Sequence, residues 1–175
     1  MRLGRICRYT AEGFDLVKYG GLDFIEVCCN NQPENEQFIA AVDDIKANIA
    51  RTGIDISCVG RWNHTIQAGG KLDAAELESY LALLDAAVSV GAKTFVCGCN
   101  YDDSVSLYKN YTNAIELFGK LIRRADGRIK VAVENCDWNN FVVSPEHWRV
   151  VLGELSELWL KYDASHAYNR NEDKK

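Results

Sequence analysis

The feature that most narrows what this chain can fold into is a strand, helix, strand unit between Arg128 and Tyr168 whose two strands each end on a carboxylate. Ile129-Lys130-Val131-Ala132-Val133-Glu134-Asn135 is a β-branched run that stops at Glu134. Ser144-Pro145-Glu146 then predicts a helix start, with serine at the N-cap, proline in the first turn and an acid near the positive end of the dipole. Trp148, Val151, Leu152 and Leu155 recur at helical spacing. Leu158-Trp159-Leu160-Lys161-Tyr162-Asp163 predicts the second strand, with His166 three residues beyond its terminal acid. Two successive parallel strands of this kind set their acids side by side at one end of a sheet. That is the face on which α/β barrels and open α/β sheets bind ligands.

The remainder of the chain repeats the unit. Strands are expected at 2–9, 22–28, 54–59 and 93–99, followed by the two above. Helices are expected over 11–19, from Pro33 to about Thr52 with Gly53 as the stop, from Asp73 to Gly91, and over about 104–124. Asp73 with Glu76 has the spacing of a capping box. A strand roughly every 30 residues is the repeat of a (β/α)8 TIM barrel of about 250 residues. The rival, an open doubly wound sheet, would carry a glycine-rich phosphate turn after its first strand. Cys7-Arg8-Tyr9-Thr10-Ala11 is not one.

The expectation is therefore an α/β chain with residues 1–175 as a single domain, an incomplete TIM barrel holding strands one to six. The polar stretch after Tyr168 has no apolar stripe, and two further units would need on the order of 60 to 80 residues. Such a chain is either a fragment or part of a longer one. Its open edges invite pairing, including a homo-oligomer. The segment alone is expected to bind manganese weakly and not to turn over substrate.

Composition narrows the partners. The net charge of −5 and the lack of a basic cluster argue against nucleic acid. No apolar run is long enough to span a membrane. Seven cysteines without a C-x-x-C pair argue against a structural zinc site. Each sits in or just after a predicted strand, so they read as reduced thiols of a cytoplasmic protein.

Val131-Ala132-Val133-Glu134-Asn135 and Lys161-Tyr162-Asp163-Ala164-Ser165-His166 resemble the xylose isomerase-like TIM barrels, the sugar phosphate isomerase/epimerase superfamily. Gly21 to Val27 and Gly91 to Val96 look like the same family. The resemblance implies one divalent metal held by four side chains on strands five to eight, of which Glu134 and Asp163 are the first two. Manganese or magnesium suits such a carboxylate site, and cobalt or zinc can be accommodated. His166 then hydrogen-bonds a substrate oxygen beside the metal. The other two ligands, a His and a Glu, have no counterpart in this sequence. Epimerases of the family also hold substrate with a glutamate six residues after the strand-five ligand, where this chain has Asn140.

The function this implies is a divalent-metal-dependent isomerase or epimerase acting on a small-molecule carbohydrate (keto sugar, sugar acid or polyol) through an enediolate. Glu134 is the candidate base and ligand. Alternatives are a cyclic-polyol dehydratase of the same barrel class and a truncated barrel that binds a sugar or partner without turnover. An apurinic endonuclease-type phosphodiesterase would need about three metals and more than the three histidines present. Trp62 and His64, on a predicted loop at the ligand end, are candidate substrate contacts. Glu26 either contacts substrate or pairs with Arg61 or Lys161. Lys161, two residues before Asp163, points into the barrel as a Schiff-base lysine or as a partner for a glutamate.

Overall fold

The computed structural model describes residues 1–63 and 65–169. The β-α alternation gives one six-stranded sheet built from β1 (Gly4–Ile6), β2 (Phe24–Cys29), β3 (Asp55–Arg61), β6 (Thr94–Cys97), β7 (Lys130–Glu134) and β8 (Trp159–Lys161). They lie in that order and every pairing is parallel, so the sheet has no switch point. Two short strands outside it, β4 (Gln67–Ala68) and β5 (Lys71–Leu72), form an antiparallel hairpin.

The sheet curls. Lys161 on β8 hydrogen-bonds Glu26 on β2, four strand steps away. At about 4.8 Å per step a flat sheet would hold these positions roughly 19 Å apart. Only a sheet bent toward its own axis brings them together, as a barrel does.

The outer face of the sheet carries the main core. Ile25 and Val27 of β2, Ile56 and Val59 of β3, Phe95 of β6 and Val131 and Val133 of β7 pack against the helices. Those helices are α1 (Ala11–Tyr19), α2 (Gln32–Ala40), α3 (Val42–Thr52), α4 (Ala74–Ser89), α5 (Leu107–Ala125) and α6 (Pro145–Glu154), and a last one, α7 (Ala164–Asn169), follows β8. Phe14, Leu83, Leu84, Leu117 and Phe118 are fully buried there, each contributing about 1.5–3 kcal/mol. The inner face is thin: Cys58, Val96 and Ala132 form a small second cluster with Trp62 packed on it. Gly60 makes room for that indole, because a Cβ there would lie 2.8 Å from its ring.

Four local differences from the sequence reading have physical causes. The expected helix from Pro33 to Thr52 is two helices that break at Ala41, whose amide is shared between the carbonyls of Gln37 and Phe38 at 3.1 Å each. Asn35 of α2 bonds Ser79 of α4, while Arg51 of α3 pairs with Asp15 of α1, so the two halves follow different neighbours. The 60–70 loop is partly strand, since β3 runs to Arg61 and Gly69 and Gly70, both at positive φ, turn the hairpin. Asp73 caps α4 by accepting from the amides of Ala75 and Glu76, but the Glu76 carboxylate pairs with buried Arg61. Finally, a short helix α7 covers the segment that carries His166, for which the sequence reading gave no helix: Asp163 accepts from the amide of Ser165 and starts it.

Candidate active site

The carboxyl ends of the strands surround a cavity of about 270 Å³ lined by Ile6, Cys28, Asn30, Trp62, Glu134, Asn135, Cys136, Trp138, Lys161, Asp163 and His166. Sequence-expected residues Glu134, Asp163, His166, Lys161 and Trp62 are thus brought together. Glu26 does not line this cavity; it faces the adjoining inner groove, where Lys161 engages its carboxylate. His64 lies outside the described residues.

Two asparagines build the floor. Glu134 is the last residue of β7, and Asn135 follows it. The Asn135 side chain donates to the Asp163 carbonyl at 2.8 Å and accepts from the Asp163 amide at 2.7 Å, clasping the ends of β7 and β8. Asn140 donates to the carbonyls of Glu134 and Cys136 and accepts from the amides of Cys99 and Val142. The position where epimerases of the resembled family hold a substrate glutamate is therefore a buried loop anchor in this chain.

The two acids differ in environment. Glu134 is 3% exposed, and burial pushes its carboxyl up to about 8, with Lys161 opposing and Glu26 and Asp163 adding to the rise. Asp163 is exposed, and its hydrogen bond from Ser165 holds its carboxyl below the usual range. One cavity thus contains a carboxyl that resists ionisation and a carboxylate that favours it. The cation beside them, Lys161, is hydrogen-bonded to Glu26 and lies 4.5 Å from the centre of the Trp62 ring.

Three lining or neighbouring residues were not found from sequence. Trp138, 71% exposed, lines the cavity along with Trp62 of the inner face. Cys136 and Asp137 stand with His166 in a group whose ligand atoms all lie within 4.8 Å of one another. The signal for all three was their place in Glu134-Asn135-Cys136-Asp137-Trp138, directly after a strand-terminal acid. The seven cysteines are free thiols. Half-buried His147 meets the rings of Tyr111 and Phe141 at steep angles and does not line the cavity. Among the described residues no helix is long and apolar enough to cross a membrane.

The family described as xylose isomerase-like TIM barrel matches residues 14–175. No curated protein matches the sequence. Among solved structures, the fold is similar to that of a 3-keto-D-glucoside 4-epimerase from E. coli in its apo form (TM-score 0.75, 15% identity, 96% of this chain and 70% of that one). It is also similar to D-psicose 3-epimerase from Clostridium cellulolyticum H10 with D-tagatose (0.74, 12%, 95% and 65%). A third is D-allulose 3-epimerase from Methylomonas sp. in complex with D-allulose (0.73, 14%, 95% and 64%). This chain spans about two thirds of the length of these proteins.

Proposed function

Because the chain belongs to the xylose isomerase-like TIM barrel family, we propose that it serves a divalent-metal-dependent isomerase or epimerase acting on a small carbohydrate. The observation that carries this reading is the shared cavity: Glu134 and Asp163, from the ends of neighbouring strands, line it together with His166, Trp62 and Trp138. That the structurally similar proteins are sugar epimerases agrees with a sugar substrate.

The residues fit a metal. Two carboxylates and an imidazole are donors that manganese and magnesium accept. Burial raises the Glu134 carboxyl, and the nearby Glu26 and Asp163 charges add to that rise; a cation would offset both by favouring the ionised form. Glu134 and Asp163 would hold the ion, which when bound supplies Lewis acidity to a substrate carbonyl or hydroxyl. Glu134 is also the candidate base, taking a proton from the carbon beside the carbonyl and returning it through an enediolate. His166 donates to a substrate oxygen. Trp62 and Trp138 present apolar walls to the C–H face of the ring. Lys161 keeps the Glu26 charge paired and braces Trp62.

Asn140 favours a second reading. With that side chain committed to four backbone groups, no glutamate holds substrate as in the resembled epimerases. A cyclic-polyol dehydratase starts from the same proton abstraction and needs no such residue. One experiment addresses both: load the protein with manganese, incubate it with D-psicose, D-fructose, D-tagatose and inososes, and identify products by mass and NMR. Epimers or isomers support the first reading and loss of water the second. Unchanged manganese binding in both Glu134→Gln and Asp163→Asn would remove the basis of either.

A further inference from the structure

We propose that Cys136, Asp137 and His166 form a second divalent-cation site, built for a thiophilic ion such as zinc, at the rim of the cavity. It shares the cavity with the preceding reading but does not require Glu134 or Asp163 to hold an ion.

The first support is the donor set. Thiolate, carboxylate and imidazole are the three ligand types of protein zinc sites, and three protein ligands leave a fourth tetrahedral position open. Ligand atoms about 2.0–2.3 Å from a tetrahedral ion stand roughly 3.3–3.8 Å from one another. His166 Nδ1 and Asp137 Oδ1 are already 3.6 Å apart. All three ligand atoms lie within 4.8 Å, so a small closing movement completes the set. Cys136 and His166 both line the cavity, and the open position would face a ligand within it.

The second support is that the backbone carrying the group is pinned on both sides. Asn140, itself buried, accepts from Cys99 and Val142 amides while it donates to the carbonyl of Cys136 at 3.1 Å. Asn139 reaches across to Thr65 at 2.9 Å. On the other side the Asn135 clasp fixes Asp163, and Asp163 starts the helix that carries His166. The cysteine loop and the histidine helix are thereby locked to each other before any ion arrives, which lowers the ordering cost of binding. A hard-ion site would gain nothing from the thiol, because manganese and magnesium prefer oxygen.

The test is cobalt(II) titration of the full 175-residue protein with absorption read in the near-ultraviolet, where thiolate-to-cobalt charge transfer appears. The expected result is a charge-transfer band that Cys136→Ala abolishes and His166→Ala weakens, with circular dichroism unchanged. Cys28→Ala, which removes another thiol lining the cavity, should leave the band intact, as should Glu134→Gln. Zinc affinity should fall in Cys136→Ala by more than the roughly 10–100-fold that loss of an outer partner costs. No band, a band that survives Cys136→Ala, or one lost in Cys28→Ala would overturn the site. Loss in Glu134→Gln would also overturn it, by showing a single ion shared with the carboxylate pair. Conversely, failure of manganese to bind while the cobalt band persists would count against the Glu134–Asp163 reading alone.

Discussion

Two polar clusters sit at the carboxyl ends of the strands, and they solve burial in opposite ways. The first joins the β4–β5 hairpin to the segment after β6 and to α5, and is built of amides. Gln67 donates to Asn110 at 2.9 Å and accepts from Asn113 at 2.6 Å. Asn100 accepts from the amides of Ile66 and Gln67 and donates to the Gln67 carbonyl. Asn110 takes the Asp102 amide and returns a bond to its carbonyl. The second cluster, around Glu134, Asp163, His166, Lys161 and Glu26, is built of ionisable groups, and its members line a cavity or an open groove. A neutral network in which donors meet acceptors leaves nothing for a ligand to do. Charges gathered at a cavity stay available to one.

The contrast can be broken most forcefully at Glu134. In a barrel that carries these strands and turns over sugar, Glu134→Gln should reduce turnover by about a thousandfold, within the range for loss of a general acid-base group, while thermal unfolding of the 175 residues stays put or rises. Unaltered kcat with keto sugars would place the chemistry elsewhere. The converse change is Asn110→Ala, which strands the Gln67 and Asp102 groups it serves. At about 1–3 kcal/mol for each buried group left unsatisfied, the Asp102 amide and carbonyl alone imply a loss of roughly 2–6 kcal/mol in urea unfolding. Manganese affinity, measured in the folded baseline, should not change.

A third test uses pH, since amides do not titrate. In the ion-free protein the folded state keeps the Glu134 proton up to about 8, whereas the unfolded chain releases it near 4.5. The folded state thus binds more protons across that window. Its stability contribution is full below the lower value and is lost as pH rises toward the upper one. Melting temperature should decline over this range, and Glu134→Gln should flatten the slope. An identical slope in the variant would mean that other groups set it. The smallest effect belongs to Lys161→Met. Removing a cation beside Glu134 should tighten manganese binding about threefold at moderate salt, while freeing the Glu26 carboxylate costs some stability. Weaker manganese binding in this variant would show that Lys161 organises the cavity more than it repels the ion.

The barrel order was legible because apolar strand runs and helix caps alternate along the chain, and every strand of the curled sheet falls on one of the expected strand segments. The carboxylate pair was legible for a related reason: a strand end fixes where its last side chain emerges. What stayed hidden depended on partners distant in sequence. No glycine or proline marks the break at Ala41; different neighbours of α2 and α3 impose it. Gly69-Gly70 is a hairpin signal that reads as a loop until its flanking residues are seen to pair. Asn140 and Asn135 carry no motif, and their roles come from backbone groups up to 41 residues away. Cys136 reads as one more buried thiol until the fold brings Asp137 and His166 beside it.

The Asn135 clasp ties the integrity of the site to the fraying of an edge. β8 is three residues long, its side chains are at most partly buried, and among the described residues it pairs with β7 alone. Such a strand opens by local fluctuation well below the free energy of global unfolding. The Asp163 amide is bonded to Asn135, so its hydrogen exchange reports each opening directly. Every such event carries Asp163, Ser165 and His166 away from Glu134 and Cys136 together. An ion held across the two strand ends would slow that exchange by the ratio of its concentration to its dissociation constant. Exchange at one backbone amide would therefore measure cation affinity without any substrate.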